Sequence, residues 1–220
     1  MKNVGVSGTT QYEAMVQQAV DHMVDAPPDL DVEAVAAAAG VPRDVALKLF
    51  PDSVALCTAA AENALVRLVD HIGTRSAQEP GNDPVAQFRA VCISYLEWSI
   101  AHPRAFEVLN SRSVFRLSRS GSTERYNRAI RDLTMSLLSR ANEAGRLKPG
   151  TDLDEVLFRI RALVNGMATL VVHRLAAHWT DADDVAEAAL ENVNSYLDSL
   201  FVPAADQARG AEPAARPPRK

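Results

Sequence analysis

Several things are scarce in this chain of 220 residues, and each scarcity excludes something. It has two cysteines, Cys57 and Cys92, with no Cys-x-x-Cys spacing, which excludes a disulfide scaffold; they read as small buried hydrophobes, reduced in the cytoplasm. With 10 glycines and 12 prolines, the turn residues are too few for an all-β protein. The longest uncharged apolar stretch near the C-terminus, Ala162–Val172, falls short of the roughly 20 residues that span a bilayer. The opening MKNVGVSGTTQYEAM has no apolar core of a secretory signal, so a cytoplasmic protein is expected. The histidines are scattered, and His173 and His178, five apart, do not share a helix face, so no metal site is implied. A Gly-rich phosphate loop, a carboxylate pair and a Ser/His/Asp set are all missing, and neither an enzyme nor a cofactor is expected.

What is abundant is alanine, with 36 residues, the strongest helix former. A hydrophobic fraction of 47% and a charged fraction of 23% fit an ordinary globular protein. Charge is unevenly placed. Residues 1–60 carry three bases (Lys2, Arg43, Lys48) against eight acids, whereas residues 104–148 carry ten bases against four acids.

The pattern predicts an all-α chain of nine helices. Met15, Val16, Ala19, Val20 and Met23 repeat at helical spacing over 10–25, and Pro27-Pro28 ends that helix. Asp31 caps a short helix over 32–39 and Gly40 follows it. Pro42 opens a third that runs to about Leu49. Asp52 caps a long helix over 53–77, and 85–101 follows after the EPGNDP loop. Residues 104–120 are expected to be helical but broken, and 122–145 to form a helix ended by Gly145. Residues 152–178 read as one long helix, and Asp181 as the cap of the last, to 201. Residues 203–220, with four prolines and no apolar period, read as a disordered tail.

The stretch DVEAVAAAAGVPRDVALKLFPDSVAL, Asp31–Leu56, is a short helix, a turn, a second short helix and then a long one, which is a helix-turn-helix arrangement. It resembles the DNA-binding domain of TetR-family transcriptional regulators through Val32, Val35, Ala36, Ala39, Gly40, Val41, Phe50, Pro51, Asp52, Ala55 and Leu56. Tyr95 with His102-Pro103-Arg104-Ala105-Phe106 and the run ALVNGMATLVVHRL, Ala162–Leu175, are similar to later signatures of that family, so the likeness covers roughly residues 10–201. The resemblance implies a nine-helix TetR-like fold. Residues 1–56 would form the DNA-binding part and 57–202 a ligand-binding and dimerisation part. It also implies a ligand-responsive repressor that binds a palindromic operator as a dimer. The DNA-facing residues it points to are Pro42, Arg43, Asp44, Val45, Leu47 and Lys48.

The recognition helix departs from the family pattern. Pro42 stands for a capping Ser, Asp44 for a Gly, Leu47 for a phosphate-binding Tyr and Ser53 for a Lys. Each change removes a phosphate contact or adds repulsion where the electrostatic term should attract. A degenerate TetR-like protein with weak or no DNA binding, acting as a ligand or partner module, is the competing reading.

Within the family's effector region, Phe88, Cys92, Tyr95, Trp98, Phe106, Leu133, Leu137 and Met167 are the candidate pocket residues, for an apolar or an anionic effector. A plain helical core accounts for the same residues. Arg112, Arg116 and Arg119 form a basic stripe at i, i+4, i+7, continued by Arg125, Arg128 and Arg131. It is either a solvated face or a site for an anionic effector or partner. Finally, the helices at 152–178 and 181–201 are expected to form a homodimer interface, with small Ala162, Gly166 and Thr169 allowing close approach.

Overall fold

A computed structural model describes residues 8–25, 30–111 and 122–202. Among them are nine α-helices and no strand. They are α1 Gly8–Asp25, α2 Val32–Ala39, α3 Arg43–Leu49, α4 Ser53–Ala77, α5 Pro84–Ala101, α6 Pro103–Asn110, α7 Ser122–Glu143, α8 Leu153–Val172 and α9 Val185–Leu200. The all-α, nine-helix expectation is met. Arg112, Arg116 and Arg119 and the tail over 203–220 lie outside the described residues. No helix among the described residues is long and apolar enough to cross a membrane.

The short N-terminal helices end where local chemistry ends them. Asp31 Oδ1 accepts the Glu33 N–H at 2.9 Å, satisfying a donor that α2 leaves unpaired. At its other end Gly40 sits at φ +67, and the Val41 N–H reaches back to the Ala36 carbonyl at 2.9 Å. Pro42 offers no side-chain cap, and its carbonyl takes the N–H groups of Val45 and Ala46 to start α3. Asp52 Oδ1 accepts from Ala55 N–H at 2.8 Å and starts α4.

The chain divides into two compact units, one made of Met1–His71 with Glu97–Ile130, the other of Ile72–Leu96 with Arg131–Lys220. In the first, Met15, Val16 and Ala19 of α1 and Val35 and Ala36 of α2 bury together with Phe50 and Leu56. The Tyr12 ring lies 5.1 Å from Phe50, centroid to centroid. In the second, α8 buries Val156, Leu157, Ile160, Val164 and Ala168, and α9 buries Ala189, Val193 and Leu197. Phe88 meets Phe201 edge-on at 5.8 Å. Arg146 Nε donates to the Val202 carbonyl at 2.9 Å, and the Val202 N–H donates to the Arg146 carbonyl at 2.8 Å, beside the isolated bridge of Leu147 and Phe201.

Two helix boundaries differ from expectation. The helix over 152–178 stops at Val172: Arg174 takes a left-handed φ of +55, its N–H bonds Val171, and the Leu175 N–H reaches the Leu170 carbonyl at 2.9 Å. That closure sets off the next turn, Ala176–His178, as a separate 3-10 element. The last helix starts after Asp184 and not after Asp181, because the Asp184 carboxylate accepts the N–H groups of Ala186 and Glu187.

Candidate functional site

The α2–turn–α3 face is the first candidate. Pro42, Arg43, Asp44 and Lys48 are exposed there, while Val45 and Leu47 are half-buried against the first unit's core. Both cations are engaged by neighbouring acids. An Arg43 Nη donates to Glu33 Oε1 at 2.7 Å, and Lys48 Nζ lies 3.7 Å from Asp44 Oδ2. The hydrogen bond from Arg43 holds the Glu33 carboxyl below its ordinary range, and the same bond raises the guanidinium pKa. The face is therefore close to neutral. Glu33 was not among the residues singled out from sequence. Its ten-residue separation from Arg43 hides a contact made by the sharp turn at Gly40.

The candidate pocket residues divide between the units. Trp98 and Phe106 belong to the first and are buried. Phe88, Cys92, Tyr95, Leu133, Leu137 and Met167 belong to the second. There Phe88, Cys92 and Leu137 are buried, Met167 is half-buried, and Leu133 is 38% exposed. Tyr95 is half-buried and donates its hydroxyl to Asn165 Oδ1 at 3.0 Å. Burial lifts the Cys92 thiol to about 12, and it raises the Cys57 thiol as well.

A cleft of about 470 Å³ lies in the second unit, with Arg75, Asp83, Arg89, Arg146 and Asn194 on its walls. Arg89 bonds Asn194 Oδ1 at 2.8 Å and Asp198, and Arg146 is 3.5 Å from Asp83 Oδ2. Those arginines tie α5, α9 and the segment after α7 together. Of the basic stripe, Arg128 pairs with Glu124 at 2.5 Å and Arg131 with Asp154 at 3.0 Å, and Arg125 is exposed. Among the described residues no His, Cys, Asp and Glu gather as a metal site.

Two further features include residues not singled out from sequence, Phe158 and His71. On α8, Phe158 is 74% exposed and lines up with exposed Ala162 and Gly166 at four-residue steps. A Cβ on Gly166 would meet nothing within 4 Å among the described residues. In the first unit the Nε2 of His71 is buried with no hydrogen-bond partner among the described residues, and the His102 ring packs on Trp98 at 5.3 Å. Burial first, then the charges of Arg67 and His71, hold His102 below its ordinary pKa.

A helix-turn-helix core and a helical unit with an exposed aromatic ring on α8 define an all-helical, two-unit fold class. The profile of the tetracyclin repressor-like C-terminal domain matches residues 88–193. The similarity to that domain covers residues 88–193, and the fold is that of the solved TetR-family transcription regulators. One solved structure that it resembles is a TetR family transcription regulator from Marinobacter aquaeolei VT8. Identity is 15% and the TM-score 0.64, covering 88% of this chain and 96% of that one. The ketosteroid transcriptional regulator of Mycobacterium tuberculosis matches at 14% identity and TM-score 0.63, over 91% and 98% of the two chains. The fatty acid degradation regulator of Bacillus halodurans matches at 18% identity and TM-score 0.66, over 89% and 96%. No curated relative matches the sequence.

Proposed function

We propose that the protein is a ligand-responsive transcriptional repressor that works as a homodimer and docks two copies of α3 in successive major grooves. The observation that carries this reading is the α2–turn–α3 pair itself, a buried helix-turn-helix core that presents Pro42, Arg43, Asp44 and Lys48 to solvent. Residues 1–56 then face DNA, and 57–202 take the effector and the partner subunit. The exposed line of Phe158, Ala162 and Gly166 supports a dimer through α8 and α9, since a second copy would cover an aromatic ring that the single chain leaves in water. The effector is a small apolar or anionic molecule.

A second reading is favoured by one observation. Arg43 and Lys48, the cations of α3, are both engaged by acids of the same face. On that reading the fold serves as a ligand or partner module and binds DNA weakly or not at all. Titrating the DNA that flanks its own gene, at several salt concentrations, separates the two. A repressor gives saturable binding with a shallow salt slope, because each neutralised phosphate contributes only about −0.9 to it and few cations are present. A module gives no binding to any promoter fragment, even at low salt.

A further inference from the structure

The first unit holds a small basic cluster that neither the core nor the DNA face uses. Arg67 and His71 stand four residues apart on α4 and so share a helix face. His102 is the residue before α6, and its side chain makes no cap hydrogen bond there. All the influences on the His102 ring act in one direction, toward the neutral form, and two of them are the charges of Arg67 and His71. The three groups are thus close enough to repel one another. Arg67 is exposed and the two imidazoles are half-buried beside apolar side chains: Trp98, buried, packs edge-on to the His102 ring, and Leu68, one turn before His71, is buried too.

Within this setting the Nε2 of His71 is shut off from water and has no hydrogen-bond partner among the described residues. A buried polar atom of this kind is unfavourable in the free protein and is satisfied by whatever brings the missing group. Positive repulsion says which group that is. A carboxylate oxygen accepts from an imidazole N–H, takes a charge-assisted bond once His102 gains a proton, and relieves the repulsion among Arg67, His71 and His102. An alcohol or a ketone supplies only the first of these.

We propose that His71 and His102, with Arg67 beside them, receive the carboxylate of an otherwise apolar small molecule. The proposal rests on the effector reading and names the chemical end by which the effector is held.

Decanoate and decan-1-ol, equal in chain length and different at one end, are the probes. The readout is Trp98 fluorescence in a Trp179→Phe background, where Trp98 is the only indole left. Decanoate is expected to bind saturably and more tightly than decan-1-ol. His71→Phe and His102→Phe each keep a flat ring and lose its nitrogens. Each should lower decanoate affinity by about tenfold and leave decan-1-ol unchanged. Unliganded His71→Phe should melt no lower than the parent, because it removes an unsatisfied nitrogen. Equal binding of both probes by the parent protein overturns the carboxylate site and leaves the effector reading standing. No response to either probe overturns both. A His71→Phe protein that melts lower and still prefers decanoate identifies His71 as a packing residue and also overturns the proposal.

Discussion

Arg43 in the first unit and Arg146 in the second put the same side chain to opposite uses. Arg43 is 69% exposed and held by one exposed carboxylate, Glu33, ten residues away. Arg146 is 18% exposed, donates to the backbone carbonyl of Val202 and approaches Asp83 from a third part of the chain. An exposed pair exchanges one partner for another at small cost. A largely buried guanidinium bonded to half-buried backbone has less water at hand to replace what it loses. The first unit thus keeps its cations releasable, and the second uses its cations to join α5, α9 and the segment after α7.

The contrast breaks most sharply at Arg146. Arg146→Ala strands the Val202 carbonyl and leaves Asp83 without its neighbour, and should cost about 2–3 kcal/mol in urea melts. Arg43→Ala should leave stability nearly unchanged in the same melts, yet nearly abolish any DNA binding. Equal losses of stability in the two variants would erase the distinction. Next in size is Asp44→Gly, which removes a negative charge from the DNA face and frees Lys48 from its pair. It should strengthen promoter binding by about tenfold and steepen the salt slope. Weaker binding in gel shift would mean that Asp44 reads a base, such as a cytosine amino group. On the second unit's surface, Gly166→Leu starts from a position where a Cβ meets nothing within 4 Å among the described residues. It should leave the thermal melt of the isolated chain unchanged and shift sedimentation toward monomer by overpacking a close helix contact.

The smallest effect is the pH response of His102. Its pKa is depressed in the folded chain, so the unfolded chain binds the proton more readily. The contribution is fully present above the unfolded pKa, about 6.5. It is lost as pH falls from there through the lower folded value. The melting temperature should therefore drop a little on acidification from neutral pH, and His102→Phe should shrink that drop.

Much of the first unit was legible in the sequence because its signals are local. Asp31, Gly40 and Asp52 each act on backbone groups within five residues, so spacing alone places α2, the turn and α4. The end of α8 was hidden because Arg174 takes the left-handed position where glycine is the usual marker. The start of α9 was missed among three aspartates, although the repeat of Val185, Ala189, Val193 and Leu197 begins just after Asp184. The Glu33–Arg43 pair and the His71–His102 cluster were hidden for another reason. Each joins residues that only the folded turn or the meeting of distant helices brings together.

The rung between Arg146 and Val202 marks a boundary that can be read in the gene. A stop codon placed directly after Val202 keeps both of its hydrogen bonds and the Phe201 ring that lies against Phe88. A stop codon two positions earlier deletes the rung, uncovers Phe88 and leaves the end of α9 free to fray. The first of those truncations is the shortest form of this chain that retains its own C-terminal fastening.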